Sequence, residues 1–68
     1  MKTQVQKARV MRAARGQLGW TQFDLARRVG CSESQIAKIE TGRISDPVPW
    51  LKEAIARELG IASWQVSI

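Results

Sequence analysis

Ser34, Lys38 and Thr41 are polar residues at a spacing that gathers side chains on one side of a helix. With Ile36 placed at 0°, they fall at about 160°, 200° and 140° for a turn of about 100° per residue. Ile39 and Glu40 fall on the opposite side, flanking Ile36 at about 300° and 40°. The outward residues are short or flexible and carry hydroxyl or ammonium groups, the donors and acceptors that base edges in a DNA groove require. Glu33 and Gln35 stand at the N-terminal end of the same segment. Lys38 has two readings, a donor to guanine O6/N7 or a simple phosphate contact. Glu33 also has two: an acceptor from a cytosine amino group, or an anion that stabilises the helix N-terminus. The second is preferred. General acid–base chemistry finds nothing to work with: there is no histidine, one cysteine (Cys31) and no Ser/His/Asp set, so an enzyme is not expected.

Those residues need helices to hold them, and the chain reads as helices separated by short punctuation. Met11, Ala14 and Leu18 recur at i, i+3 and i+7 and predict a first helix over residues 4–18, stopped by Gly19. Thr21, followed three positions on by Asp24, predicts an N-cap for a second helix with Leu25, Ala26 and Val29 on its inner face, ended by Gly30. Ser32 and Gln35 predict the same start for a third helix, which Gly42 stops. Asp46-Pro47 reads as N-cap and first residue of a fourth helix, with Pro49 in its first turn. Trp50, Leu51, Ala54, Ile55 and Leu59 make its apolar face and Gly60 its C-cap. Ser63 is expected to cap a last short turn over residues 64–68. The fold class is therefore all-α: five helices in a single compact domain spanning residues 1–68.

Residues 22–41 carry the most specific pattern. Two short capped helices are joined at Gly30 by a turn of about three residues, which is a helix-turn-helix layout. Numbered from Gln22, the positions such a unit constrains are occupied by Leu25, Ala26, Val29, Gly30, Cys31, Ile36 and Ile39, all apolar or small as packing requires. An αα-hairpin with no DNA role is the competing reading, and it seldom satisfies every one of these positions. Cys31 is expected as core filler in a buried slot, not a redox sensor, and Trp20 as a core residue. Thr21 and Gln22, at the N-terminus of the second helix, offer side chains and free N–H groups to a phosphate. Glu40, on the inner face, needs a partner, since an unpaired buried charge is costly. Arg15, about 40° from Met11 on the first helix, is placed to supply it.

The stretch QFDLARRVGCSESQIAKIETGR resembles the helix-turn-helix of the lambda-repressor-like, or Cro-repressor, family. Arg15, the run Gly19-Trp20-Thr21-Gln22, Gly42-Arg43, Pro47 and Leu59-Gly60 fall where that family places comparable residues, so the resemblance covers about residues 11–63. It implies a five-helix domain that docks its third helix in the major groove of DNA. It also implies that Thr41, Arg43 and Ser45 grip a second phosphate, and it supports the Arg15–Glu40 pairing. Phe23, where the family usually has a polar residue, and Pro49 depart from the pattern.

Charge agrees with a polyanionic partner. Eleven basic and six acidic residues give +5 overall, and residues 1–43 alone carry nine cations against three anions. A basic, merely solvated surface is the bland alternative. No metal site, disulfide framework or cofactor is expected from one cysteine and no histidine. No apolar run approaches the ~20 residues a membrane span needs, the first residues are polar and basic, and a cytoplasmic location is expected. No small-molecule effector is evident. The expectation is a sequence-specific, dimeric transcriptional regulator of bacterial or phage origin, a repressor of a palindromic double-stranded DNA operator. Trp50, Trp64, Val66 and Ile68 are its interface residues, because three tryptophans exceed what one small core covers. The alternative is an antitoxin-like module that binds a partner protein and only secondarily DNA.

Overall fold

A computed structural model describes residues 3–66, with side chains from residue 9 onward. Four α-helices follow one another: α1 (Thr3–Gln17), α2 (Gln22–Val29), α3 (Glu33–Glu40) and α4 (Pro49–Leu59). A single 3-10 turn, Ser63–Gln65, stands where a fifth helix was expected. Its bonds run i→i+3, from Gln65 N–H to the Ala62 carbonyl at 2.9 Å and from Val66 N–H to the Ser63 carbonyl at 3.0 Å, the tighter 3-10 pattern. Ala62 precedes this turn in place of the expected Ser63, and its N–H donates to Gln65 Oε1 at 2.9 Å.

Met11, Leu25, Ile36, Leu51 and Ile55 are fully buried and draw all four helices onto one centre. Leu18, expected in the α1 stripe, is 46% exposed. The helix closes one residue early: Gly19 takes φ +74°, Trp20 N–H donates to the Arg15 carbonyl at 3.1 Å, and Leu18 is swung away from the core. Trp20 is half-buried and packs on the core edge.

The α2–turn–α3 unit follows from its caps. Thr21 Oγ1 accepts from Asp24 N–H at 3.1 Å while Asp24 Oδ2 accepts from Thr21 N–H at 2.9 Å. Gly30 adopts φ +83°, a conformation that costs other residues about 1–2 kcal/mol, and the Ala26 carbonyl receives both Gly30 and Cys31 N–H. Ser32 Oγ accepts from Gln35 N–H at 3.1 Å, with no bond returning from the Gln35 side chain among the described residues. Cys31 is half-buried, not enclosed; burial raises its thiol pKa.

Helix α4 starts two residues later than Asp46-Pro47 predicts. Pro49 holds Val48 extended at ψ 151°, because the residue before a proline is driven out of the helical region. Pro47 is buried and Asp46 instead pairs with Lys52 at 3.2 Å. Trp50, placed by sequence on the apolar face of α4, is 58% exposed, whereas Leu51, Ile55, Ala56 and Leu59 are buried. Val66, expected at an interface, is only 4% exposed: the 3-10 turn folds back onto α1 and α4 and takes it into the core.

Candidate nucleic-acid interface

Helix α3 packs Ile36 and Ile39 against α2 and turns Ser34, Lys38 and Thr41 outward, all exposed. With Ala37 and Arg43 they line one shallow hollow. Glu33 is exposed in the first turn, while Gln35 is half-buried beside it. Glu33, Ser34, Gln35, Lys38 and Thr41 are short or flexible polar side chains on a rigid support, as reading base edges requires.

Two further groups of polar residues flank the hollow in the chain. Thr21, exposed, and Gln22, half-buried, open α2. Thr41, Arg43 and Ser45, all exposed, follow α3 past Gly42, whose φ of +84° turns the chain. The Thr41 hydroxyl donates back to the Ala37 carbonyl at 3.0 Å, and rotation about its side-chain bonds lets the same O–H turn to an outside acceptor. Arg43 makes no ion pair among the described residues. An uncompensated guanidinium there is free to meet an anion.

Behind this face lies a charged pair inside the core. Arg15 Nε donates to Glu40 Oε2 at 2.7 Å and Nη2 to Oε1 at 3.1 Å. The Glu40 side chain is 0% exposed and that of Arg15 14%. Arg15 Nη1 also donates to the Trp20 carbonyl at 2.9 Å, and Gln22 Nε2 to Glu40 Oε1 at 3.0 Å. The hydrogen bond to Glu40 raises the Arg15 pKa above its ordinary value, with burial opposing. Buried side-chain polar atoms are all satisfied among the described residues. The network ties α1, the Trp20 carbonyl, the start of α2 and the end of α3 to one carboxylate.

Sequence reasoning missed a second feature on the outer side of α2. Arg28 lies 4.2 Å from the centre of the Trp20 ring and Arg27 5.8 Å from that of Phe23. The i,i+4 spacing of Phe23 and Arg27 was the available signal. Hydrogen bonds from the Thr21 backbone and hydroxyl hold the Asp24 carboxyl below the usual carboxylate range, with Arg28 and Arg27 adding to the shift.

The expected interface residues divide. Trp50 and Trp64 are 58% and 65% exposed, Val66 is buried, and Ile68 lies outside the described residues. Among the described residues no three acidic, cysteine or histidine side chains converge as metal ligands, and no helix is long and apolar enough to cross a membrane.

Residues 8–63 match the family model described as a helix-turn-helix domain. No curated protein and no solved structure matches the chain.

Proposed function

The chain belongs to the helix-turn-helix domain family, a DNA-binding family, and from that premise we propose that it is a sequence-specific transcriptional regulator of the lambda-repressor-like type. It binds double-stranded DNA as a homodimer and represses by occupying a palindromic operator. The observation that carries this reading is the outward face of α3, where Ser34, Lys38, Thr41 and Arg43 share one exposed hollow. In this reading α3 enters the major groove, with Lys38 donating to a base edge and Ser34, Gln35 and Glu33 completing the set. Thr21 and Gln22 hold one phosphate, and Thr41, Arg43 and Ser45 hold another. Phosphate contacts fix register and base contacts fix sequence. The excess of cations in the first part of the chain raises the local concentration of the polyanion. The proposed activity is binding, carried by the exposed polar face of α3.

Selection of bound duplexes from a random pool tests this reading. The expected result is a two-fold-symmetric consensus whose half-site centres lie about 34 Å apart. A pool that emerges without enrichment rules out sequence-specific recognition.

A further inference from the structure

Glu40 has more donors than its charge requires. The Arg15 fork alone neutralises the carboxylate, through Nε on Oε2 and Nη2 on Oε1. Gln22 Nε2 nevertheless reaches in from the first position of α2 and adds a bond to Oε1 at 3.0 Å across eighteen residues of chain. This third donor adds no charge. Its consequence is orientation. A glutamine amide has an oxygen end and a nitrogen end, and an isolated one exchanges them by a half-turn. An ionised carboxylate accepts and never donates. Glu40 therefore admits only the nitrogen end, and the direction of the whole Gln22 amide is fixed from inside the core. Nε2 carries two protons. One is engaged by Glu40, and the other has no partner among the described residues. Gln22 is half-buried and adjoins the exposed Thr21.

We propose that Glu40 is a positioning residue for DNA binding: acting through Gln22, it presents the second Nε2 proton to a backbone phosphate. The same buried carboxylate thus locks α1 to α3 and aims the phosphate grip at the start of α2. This inference rests on the DNA-binding reading given above. Its rival is that Glu40 serves stability alone and that Gln22 finds a phosphate, or does not, without help.

A double-mutant cycle on DNA affinity separates the two. The probe is a random-sequence duplex of about two helical turns at low salt, because a phosphate contact does not depend on sequence. Gln22→Ala keeps the Arg15–Glu40 pair, and Glu40→Gln removes the rule that only a nitrogen faces inward. Each is expected to weaken binding by about tenfold, the loss of one hydrogen bond to a charged group. In the Gln22→Ala background, Glu40→Gln should cost nothing further. The salt dependence should stay unchanged throughout, since no cation leaves the surface. Additive losses, or a Gln22→Ala variant that binds like wild type, overturn the proposal. Because Glu40→Gln removes a buried charge, the wild type supplies a second measurement: the Gln22 side-chain amide protons followed by NMR during titration with the duplex. One proton should shift on binding while the Glu40-bonded one holds, and two unmoved protons overturn the proposal. A wild type that binds no duplex overturns both this inference and the DNA-binding reading, whereas tight binding with an additive cycle overturns this inference alone.

Discussion

Two cations of this chain, Arg15 and Arg43, have the same chemistry and opposite surroundings, and the difference sets what each substitution does. Arg15 is held against a carboxylate with no exposure of its own. Removing one side of such a pair strands the other in the core, at a cost of about 3–5 kcal/mol. That is most of the stability of a domain this small. Glu40→Ala is therefore expected to unfold the protein or lower its melting temperature by more than ten degrees, as about 1 kcal/mol shifts a domain of this size by 4–8 °C. A thermal melt within a few degrees of wild type would contradict the burial argument. Arg43 sits in water with Lys38 nearby on the same hollow, so neither should affect folding. Their roles on DNA should differ. Lys38 projects from the centre of the outward face, and Lys38→Ala should relax preference at one base pair per half-site, by about 1–3 kcal/mol against the best sequence. Arg43 follows Gly42 toward the backbone, and Arg43→Ala should weaken all sequences alike and reduce the salt slope by about one per subunit. Binding of each variant to a panel of operator changes at several salt concentrations decides; uniform losses from both would mean that Lys38 reads no base and that specificity comes from Glu33, Ser34 and Gln35 or from DNA shape.

Among the elements, the helix ends separate what sequence reveals from what it conceals. The starts of α2 and α3 and the Gly30 turn were legible because their causes are local: Thr21 with Asp24, Ser32 with Gln35, and a glycine in the left-handed region. The start of α4 was not, because two cap signals compete over four residues. Asp46-Pro47 has the right composition, but Pro49 then forbids Val48 a helical conformation, and the helix begins only at Pro49 itself. Leu18 misled for a related reason: its spacing fits the α1 stripe, but the glycine turn ends the helix before it. The capping box of α2 also carries a pH signature. Thr21 hydrogen bonds hold the Asp24 carboxyl below its ordinary range. A carboxylate with a folded pKa below its unfolded one stabilises fully above the unfolded value, about 3.9, and loses that contribution as pH falls through the folded value. The stability gap between wild type and Asp24→Ala should hold from neutral pH to about pH 4 and shrink on further acidification. Urea denaturation at a series of pH values measures it, and a gap independent of pH would show that the carboxylate's charge plays no part in the cap.

At the scale of the whole molecule, the residues hardest to place from sequence were those whose fate depends on distant parts of the chain. Val66 and Trp64 are neighbours of similar apolar character, but the 3-10 turn sends Val66 into the core and leaves Trp64 65% exposed. The Gln22–Glu40 bond, spanning two helices, was invisible for the same reason, although both residues had been singled out separately. The fold then bears on assembly. Each copy carries a single helix-turn-helix, α2 and α3, and so a single helix to place in a groove. On the proposed palindromic operator, one copy would take each half-site. Trp50 is 58% exposed and its neighbour Val48 52%, at the start of α4, which is the kind of aromatic surface that interface cores use. A homodimer through Trp50 and Trp64 predicts that Trp50→Ser and Trp64→Ser raise the dimer dissociation constant, and that Trp50→Ser leaves the melting temperature of the monomer unchanged. Val66→Ala should do the reverse, losing ~2 kcal/mol of stability because its side chain belongs to the core. A thermal melt reports the stabilities, and sedimentation with and without a symmetric duplex reports the assembly: two subunits per duplex for wild type, and a weaker, less cooperative second binding step for the tryptophan variants. Wild type that stays monomeric at high micromolar concentration, and binds its selected duplex one copy at a time, would mean that each half-site is read alone and that the two tryptophans face something other than a second copy.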